Sequence, residues 1–160
     1  MVDLSLRGRG RAAEARLDEA MELMHFGFRG IVEEPDRELA KLGFSRMHHR
    51  VLYFVGRNPT VAIGALQRLL GVSKQALNRP LRELVDGGFV ERRDAPGNRR
   101  TKHLSLTRKG ATLEARVSGA QRRKFAIVFR AAGRAAEAGW RRVMRELAGR
   151  PIPARPDDAE

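Results

Sequence analysis

The chain has no cysteine among its 160 residues. Disulfides, thiol-based redox sensing and cysteine-bearing metal sites are therefore excluded. No run of about 18 apolar residues occurs, so no membrane-spanning helix is expected. The first ten residues, MVDLSLRGRG, lack the apolar segment of a secretory signal, and a cytoplasmic protein is expected. The signatures of catalysis are missing as well. There is no Gly-x-Ser-x-Gly, no glycine-rich phosphate loop and no pair of carboxylates in an apolar setting. Serines are few, and none neighbours a His/Asp arrangement. Neither an enzyme nor a cofactor is expected. A metal site would have to draw on His25, His48 and His49, but adjacent residues on a helix point about 100° apart. His48 and His49 cannot easily bind one ion, and no metal is expected.

Acidic charge is also scarce, and unevenly so. The net charge is +13. Residues 1–40 hold 6 basic and 9 acidic side chains, residues 41–110 hold 15 and 4, and residues 111–160 hold 11 and 6. The three segments thus carry −3, +11 and +5. A positive field concentrated in the middle of the chain points to a polyanionic partner, most commonly nucleic acid.

The pattern of apolar residues is mainly helical. Ala13, Leu17, Ala20, Met21, Met24, Phe28 and Ile31 recur at spacings of three and four and predict a helix over 11–32. Pro35 is expected to end it or to bend it near Glu34, with 36–43 adding two turns up to Gly43. Ser45 starts a helix over 46–56 that buries Val51, Leu52, Phe54 and Val55. Thr60–Ile63 reads as a short strand and Ala65–Leu70 as a short helix. Gly71-Val72 reads as a tight turn, and Ser73 caps a further helix that stops at Gly87-Gly88. Strands are expected over 89–93 and 101–106, with a turn from Asp94 to Asn98. From Thr107 the chain is helical again, with a break at Gly133. The last ten residues, PIPARPDDAE, read as a loose tail.

A short helix, a tight turn and a second helix make a helix-turn-helix, and the hairpin after it makes a wing. The unit lies inside the +11 segment. On its second helix Ala76, Leu77, Leu81, Leu84 and Val85 are expected to face inward. Ser73 at the cap and Lys74, Gln75, Asn78, Arg79 and Arg82 on the outer face are suited to DNA. Gln and Asn can bond adenine edges and Lys and Arg guanine edges in the major groove, and most of these residues lie in the first turns of the helix. Pro80, about two turns in, removes one backbone hydrogen bond and should kink the axis. Asn98, Arg99 and Arg100 are expected at the hairpin tip, where arginine gains most by entering a narrow, negative minor groove. Lys102 and His103 follow within reach of phosphates.

The stretches LGFSRMHHRVLYFV, IGALQRLLGVSKQALNRPLRELVDGGFVERR and GNRRTKHLSLTRKG resemble the MarR (multiple antibiotic resistance regulator) family over roughly Leu42 to Gly110. The most specific part is a wing Asp-Arg-Arg followed by Leu-Thr-x-Lys-Gly. Here it stands as Asn98-Arg99-Arg100 and Leu106-Thr107-Arg108-Lys109-Gly110, with Asn in place of the wing aspartate and Pro80 where an aliphatic residue is commoner. The resemblance implies a mainly α fold with a small β-hairpin wing. It implies N- and C-terminal dimerisation helices over 1–42 and 108–150, a winged helix-turn-helix over 43–107 and a tail over 151–160. It further implies a homodimeric bacterial repressor or activator, expected here to be a repressor, on a pseudo-palindromic operator, with Arg100 as the minor-groove arginine. Many members release DNA when a small, often phenolic, acid binds between the arms and the DNA-binding lobe. Met24, His25, Phe28, Met47, His48 and Arg50 would wall that cleft. Two rival readings are an architectural DNA-binding protein without an effector and a winged-helix module for protein assembly.

Overall fold

The computed structural model describes residues 4–95 and 97–149. The expected tail over 151–160 lies outside them. Two compact units are distinguished, Met1–Glu33 and Glu34–Glu160. The first consists of the N-terminal part of α1, a helix that spans Leu4–Ala40.

Of the two expectations for Pro35, an end of the helix is overturned: the proline lies inside α1, which continues to Ala40. A proline removes one helical hydrogen bond, and here its ring is fully buried. The turns beyond it are held from outside. Asp36 receives hydrogen bonds from Arg46 Nε at 3.1 and 2.9 Å and from Arg46 Nη2 at 2.7 Å, which also raises the Arg46 pKa. The helix closes where the amide of Phe44 reaches Leu39 O at 3.0 Å and Gly43 takes φ +69°, a conformation that glycine adopts without a Cβ penalty.

The second unit continues with α2 (Arg46–Arg57), β1 (Val61–Ala62), α3 (Ile63–Leu70) and α4 (Lys74–Asp86). Strands β2 (Val90–Ala95) and β3 (Asn98–Leu106) follow, and then α5 (Arg108–Ala132) and α6 (Arg134–Ala148). The strands form one antiparallel sheet in the order β1-β3-β2, with Val61 opposite Leu104 and Val90 opposite Leu106. Helix α3 starts two residues earlier than the sequence predicts, and β1 shrinks correspondingly to two residues. The fold class read from the sequence holds: mostly helical, with a small β wing. The core gathers Val51, Leu52 and Val55 of α2, Leu66 of α3, Leu77, Leu81 and Leu84 of α4, Phe89, Val90 and Leu104 of the sheet, and Leu113 and Val117 of α5. Every helix except α6 thus contributes a side chain to the core, Leu39 coming from α1. Among the described residues no helix is long and apolar enough to cross a membrane.

Candidate nucleic-acid interface

Helix α3 ends in Gly71 at φ +65°, whose amide bonds Gln67 O at 3.0 Å. Two residues later the Ser73 hydroxyl accepts the Ala76 amide at 3.1 Å and caps α4. Such a cap satisfies one of the amides orphaned at a helix start. Leu77, Leu81 and Leu84 are buried and set the roll of α4 about its axis. That roll leaves Lys74, Gln75, Asn78, Arg79 and Arg82 exposed. Ala76 is exposed with them, not buried as expected; it lies about 100° round the helix from Leu77 and just misses the core. Helix α4 runs through Pro80 to Asp86.

Glu83 of α4, to which the sequence assigns no role, links two helices. Its Oε1 accepts Arg79 Nε at 2.8 Å, and its Oε2 lies 2.7 Å from Nε2 of His48 on α2. The Arg79 bond, then the His48 bond, hold the Glu83 carboxyl below the usual carboxylate range, and the Arg79–Glu83 bond raises the Arg79 pKa. Arg79 and Glu83 stand at the i, i+4 spacing of helix ion pairs, which was readable. The bond to His48 spans 35 residues and was not.

In the wing, β2 reaches Ala95 and β3 starts at Asn98, with Gly97 at φ +72° between them. The expected turn over 94–98 contracts accordingly, and Asn98, Arg99 and Arg100 become the first residues of β3. Asp94 stands opposite Lys102 and Ala95 opposite Asn98. One step along β2 therefore spans four along β3 (102 − 98), a register shift that falls on Arg99, Arg100 and Thr101. The side chains of Asn98, Arg99 and Arg100 lie outside the described residues. Lys102 forms an ion pair with Asp94, and Arg93 bonds Glu91 at 2.9 Å.

The wing is tied at its base to the end of α4. Thr107 Oγ1 donates to Gly88 O at 2.7 Å and accepts the Gly110 amide at 3.1 Å, capping α5. Lys109 Nζ donates to Gly87 O at 2.8 Å and sits 4.2 Å from the centre of the Phe89 ring. A Cβ on Gly110 would fall 1.9 Å from Phe89 O. Leu-Thr-x-Lys-Gly is thus a clamp: the threonine caps, the lysine bonds the carbonyl end of α4, and the glycine permits the close approach.

The residues expected around an effector fall in different units. Met24 and Phe28 are exposed on α1, and His25 packs edge-on against Phe26 at 5.2 Å. Arg50 is exposed and Met47 half-buried on α2. His48 is buried and engaged by its own chain.

Known proteins show the same organisation. A family model described as MarR family matches residues 42–101. The HTH-type transcriptional regulator PetP of Rhodobacter capsulatus is 42% identical over 134 residues, covering 84% of this chain and 81% of its own. The chain belongs to the MarR family. The crystal structure of MarR superposes with a TM-score of 0.62 at 26% identity, covering 83% of this chain and 95% of that one. A MarR-family protein of Mycobacterium tuberculosis, solved in complex with p-aminosalicylic acid, shares the fold at a TM-score of 0.56 and 24% identity, over 79% of this chain and 96% of its own. This MarR-family chain is accordingly a helix-turn-helix transcriptional regulator, and its α3-turn-α4 unit lies inside the matched segment.

Proposed function

We propose that the protein is a sequence-specific repressor that binds a pseudo-palindromic operator as a homodimer in the cytoplasm. Helix α4 enters the major groove with Lys74, Gln75, Asn78, Arg79 and Arg82. The wing brings Arg99 and Arg100 to the adjacent minor groove, while Lys102 exchanges Asp94 for a phosphate. One observation carries this reading: the exposed face of α4 presents Lys, Gln, Asn and Arg side chains from a capped N-terminus, with no acid before Glu83. No reaction is assigned to the chain. The segments 1–42 and 108–150 serve as dimerisation arms around the DNA-binding unit at 43–107. Support for the dimer comes from the apolar side chains that the arms leave in water, among them Leu17, Met21, Ile127, Val143 and Leu147. A small aromatic acid is the proposed releasing effector, because a protein of this fold has been solved with p-aminosalicylic acid. On α2, Met47 and Arg50 are its proposed contacts, with His48 as part of the supporting wall.

The test is fluorescence anisotropy with the duplex upstream of the protein's own gene against a scrambled duplex at two salt concentrations. Selective binding with one dimer per site is expected. Replacing both Arg99 and Arg100 by Ala should weaken it and flatten the log K against log salt slope by about 2, near one unit per phosphate neutralised. Equal, steeply salt-dependent binding to both duplexes would leave an architectural protein. Salicylate-like acids added to the complex should release DNA from a regulator and not from an architectural binder.

A further inference from the structure

Arg79 is held in an unusual way for an exposed recognition-helix cation. Its side chain is 80% exposed, and exposed ion pairs are normally weak and interchange readily. Its partner does not interchange. Glu83 Oε2 is pinned by His48 Nε2 at 2.7 Å. His48 in turn has no freedom to turn away. Its ring is buried, stacks on Phe44 at 4.5 Å, and receives the Ser45 backbone amide on Nδ1 at 3.0 Å. An amide N–H can only donate. Nδ1 is therefore the acceptor, and Nε2 carries the proton that goes to Glu83. The rigidity continues inward, since Phe44 packs edge-on against Phe89 of the core at 5.3 Å.

The chain Ser45–His48–Glu83–Arg79 thus runs from the start of α2 to the outer face of α4. The bond between Arg79 and Glu83 uses Nε of the guanidinium. That leaves the two terminal amino groups as a parallel fork, the form in which arginine bonds O6 and N7 of one guanine. A carboxylate this close to DNA repels phosphates, so Glu83 lowers affinity for DNA in general. Its contribution has to lie in direction.

We infer that Glu83, locked by His48, is a positioning residue that aims the terminal amino groups of Arg79 at a guanine and so determines specificity at that base. The inference rests on α4 being the major-groove reading helix. It differs from the bland account of an i, i+4 pair, in which Glu83 would stabilise the helix and have no base preference.

The full chain is used for the test, with a duplex enriched from a random library by the wild-type protein. Each guanine is replaced in turn by 7-deazaguanine, which lacks the N7 acceptor, and binding is followed by anisotropy. The wild type should show a guanine at which the replacement weakens binding about tenfold, and Arg79→Ala should be insensitive there. Glu83→Gln can keep one of its two bonds but not both as acceptor, since the amide nitrogen donates. It should lose most of the sensitivity at that guanine while binding scrambled DNA as tightly as the wild type or tighter. Glu83→Asp retains the charge but is too short to span Arg79 and His48. It should lose the same sensitivity with scrambled binding unchanged, which separates aim from charge. Retention of wild-type sensitivity in both Glu83 variants overturns the inference. So does a uniform loss of affinity at every position together with a lower melting temperature, which is the mark of a purely structural role. Absence of any preference of the wild type for the enriched duplex would instead overturn the DNA-reading proposal itself.

Discussion

Gly110 shows how one hydrogen atom in place of a methyl group decides a local structure. It lies in the first turn of α5, where alanine would ordinarily be preferred to glycine by about 1 kcal/mol. Its missing Cβ would stand 1.9 Å from the carbonyl oxygen of Phe89, a backbone atom that cannot swing aside. Overpacking of this kind costs about 1–3 kcal/mol or more, so the clash outweighs the propensity. Gly110→Ala should lower the unfolding free energy by at least about 2 kcal/mol in a urea titration. Gly119→Ala, in the same helix, meets only the tip of the Arg123 side chain at 3.5 Å. It should be neutral, or stabilise by up to about 1 kcal/mol.

Between elements, the joint of α2 and α5 contains a polar pair set in apolar surroundings. His49 Nε2 lies 3.0 Å from the hydroxyl of Ser118, a buried residue next to Val117. Burial pushes the His49 pKa down, against a smaller opposing pull from Glu114. A histidine lowered in the folded state binds its proton more readily when unfolded. Its contribution to stability is therefore complete above the unfolded value of about 6.5 and is lost as pH falls through the lower folded value. The urea midpoint should drop between pH 7.5 and pH 5.5, above the range in which ordinary carboxylates titrate. His49→Gln, which can still donate to Ser118, should flatten that drop. An equal drop in the variant would show that the pH dependence arises elsewhere. The α5–α6 joint is of a different kind: Phe125, Phe129 and Trp140 meet with ring centres 5.3–5.4 Å apart. Such an aromatic cluster joins the two helices without drawing on the core.

For the whole molecule, the distribution of apolar side chains is the strongest clue to assembly. Helix α6 buries none of its residues, and Val143 and Leu147 are 54% and 60% exposed. Ile127 and Val128 on α5 are exposed as well. Trp140 holds α6 to α5, but Val143 and Leu147 stay exposed among the described residues, and a second copy is the partner proposed above. Replacing Val143 and Leu147 together by Asp should give a monomer in sedimentation velocity. Because two linked half-sites bind far more tightly than one, operator affinity should fall by at least about a hundredfold. A dimer that persists in the double variant would place the interface elsewhere.

The sequence by itself determined the elements and the kind of surface they present. Ser45, Ser73 and Thr107 mark three helix starts, and Gly71, Gly88 and Gly133 mark turns with positive φ. These signals act within a few residues, where capping and backbone freedom leave a direct trace in composition. The polar face of α4 was legible for the same reason, because helical periodicity assigns faces without knowledge of the rest of the chain. What only the tertiary structure decided depends on contacts between distant residues. Pro35 stays inside a helix because its ring is buried and Asp36 is held by Arg46. Gly110 must be glycine because Phe89 passes beside it. Glu83 is joined to α2 because the fold brings a buried histidine from 35 residues away to within 2.7 Å of it.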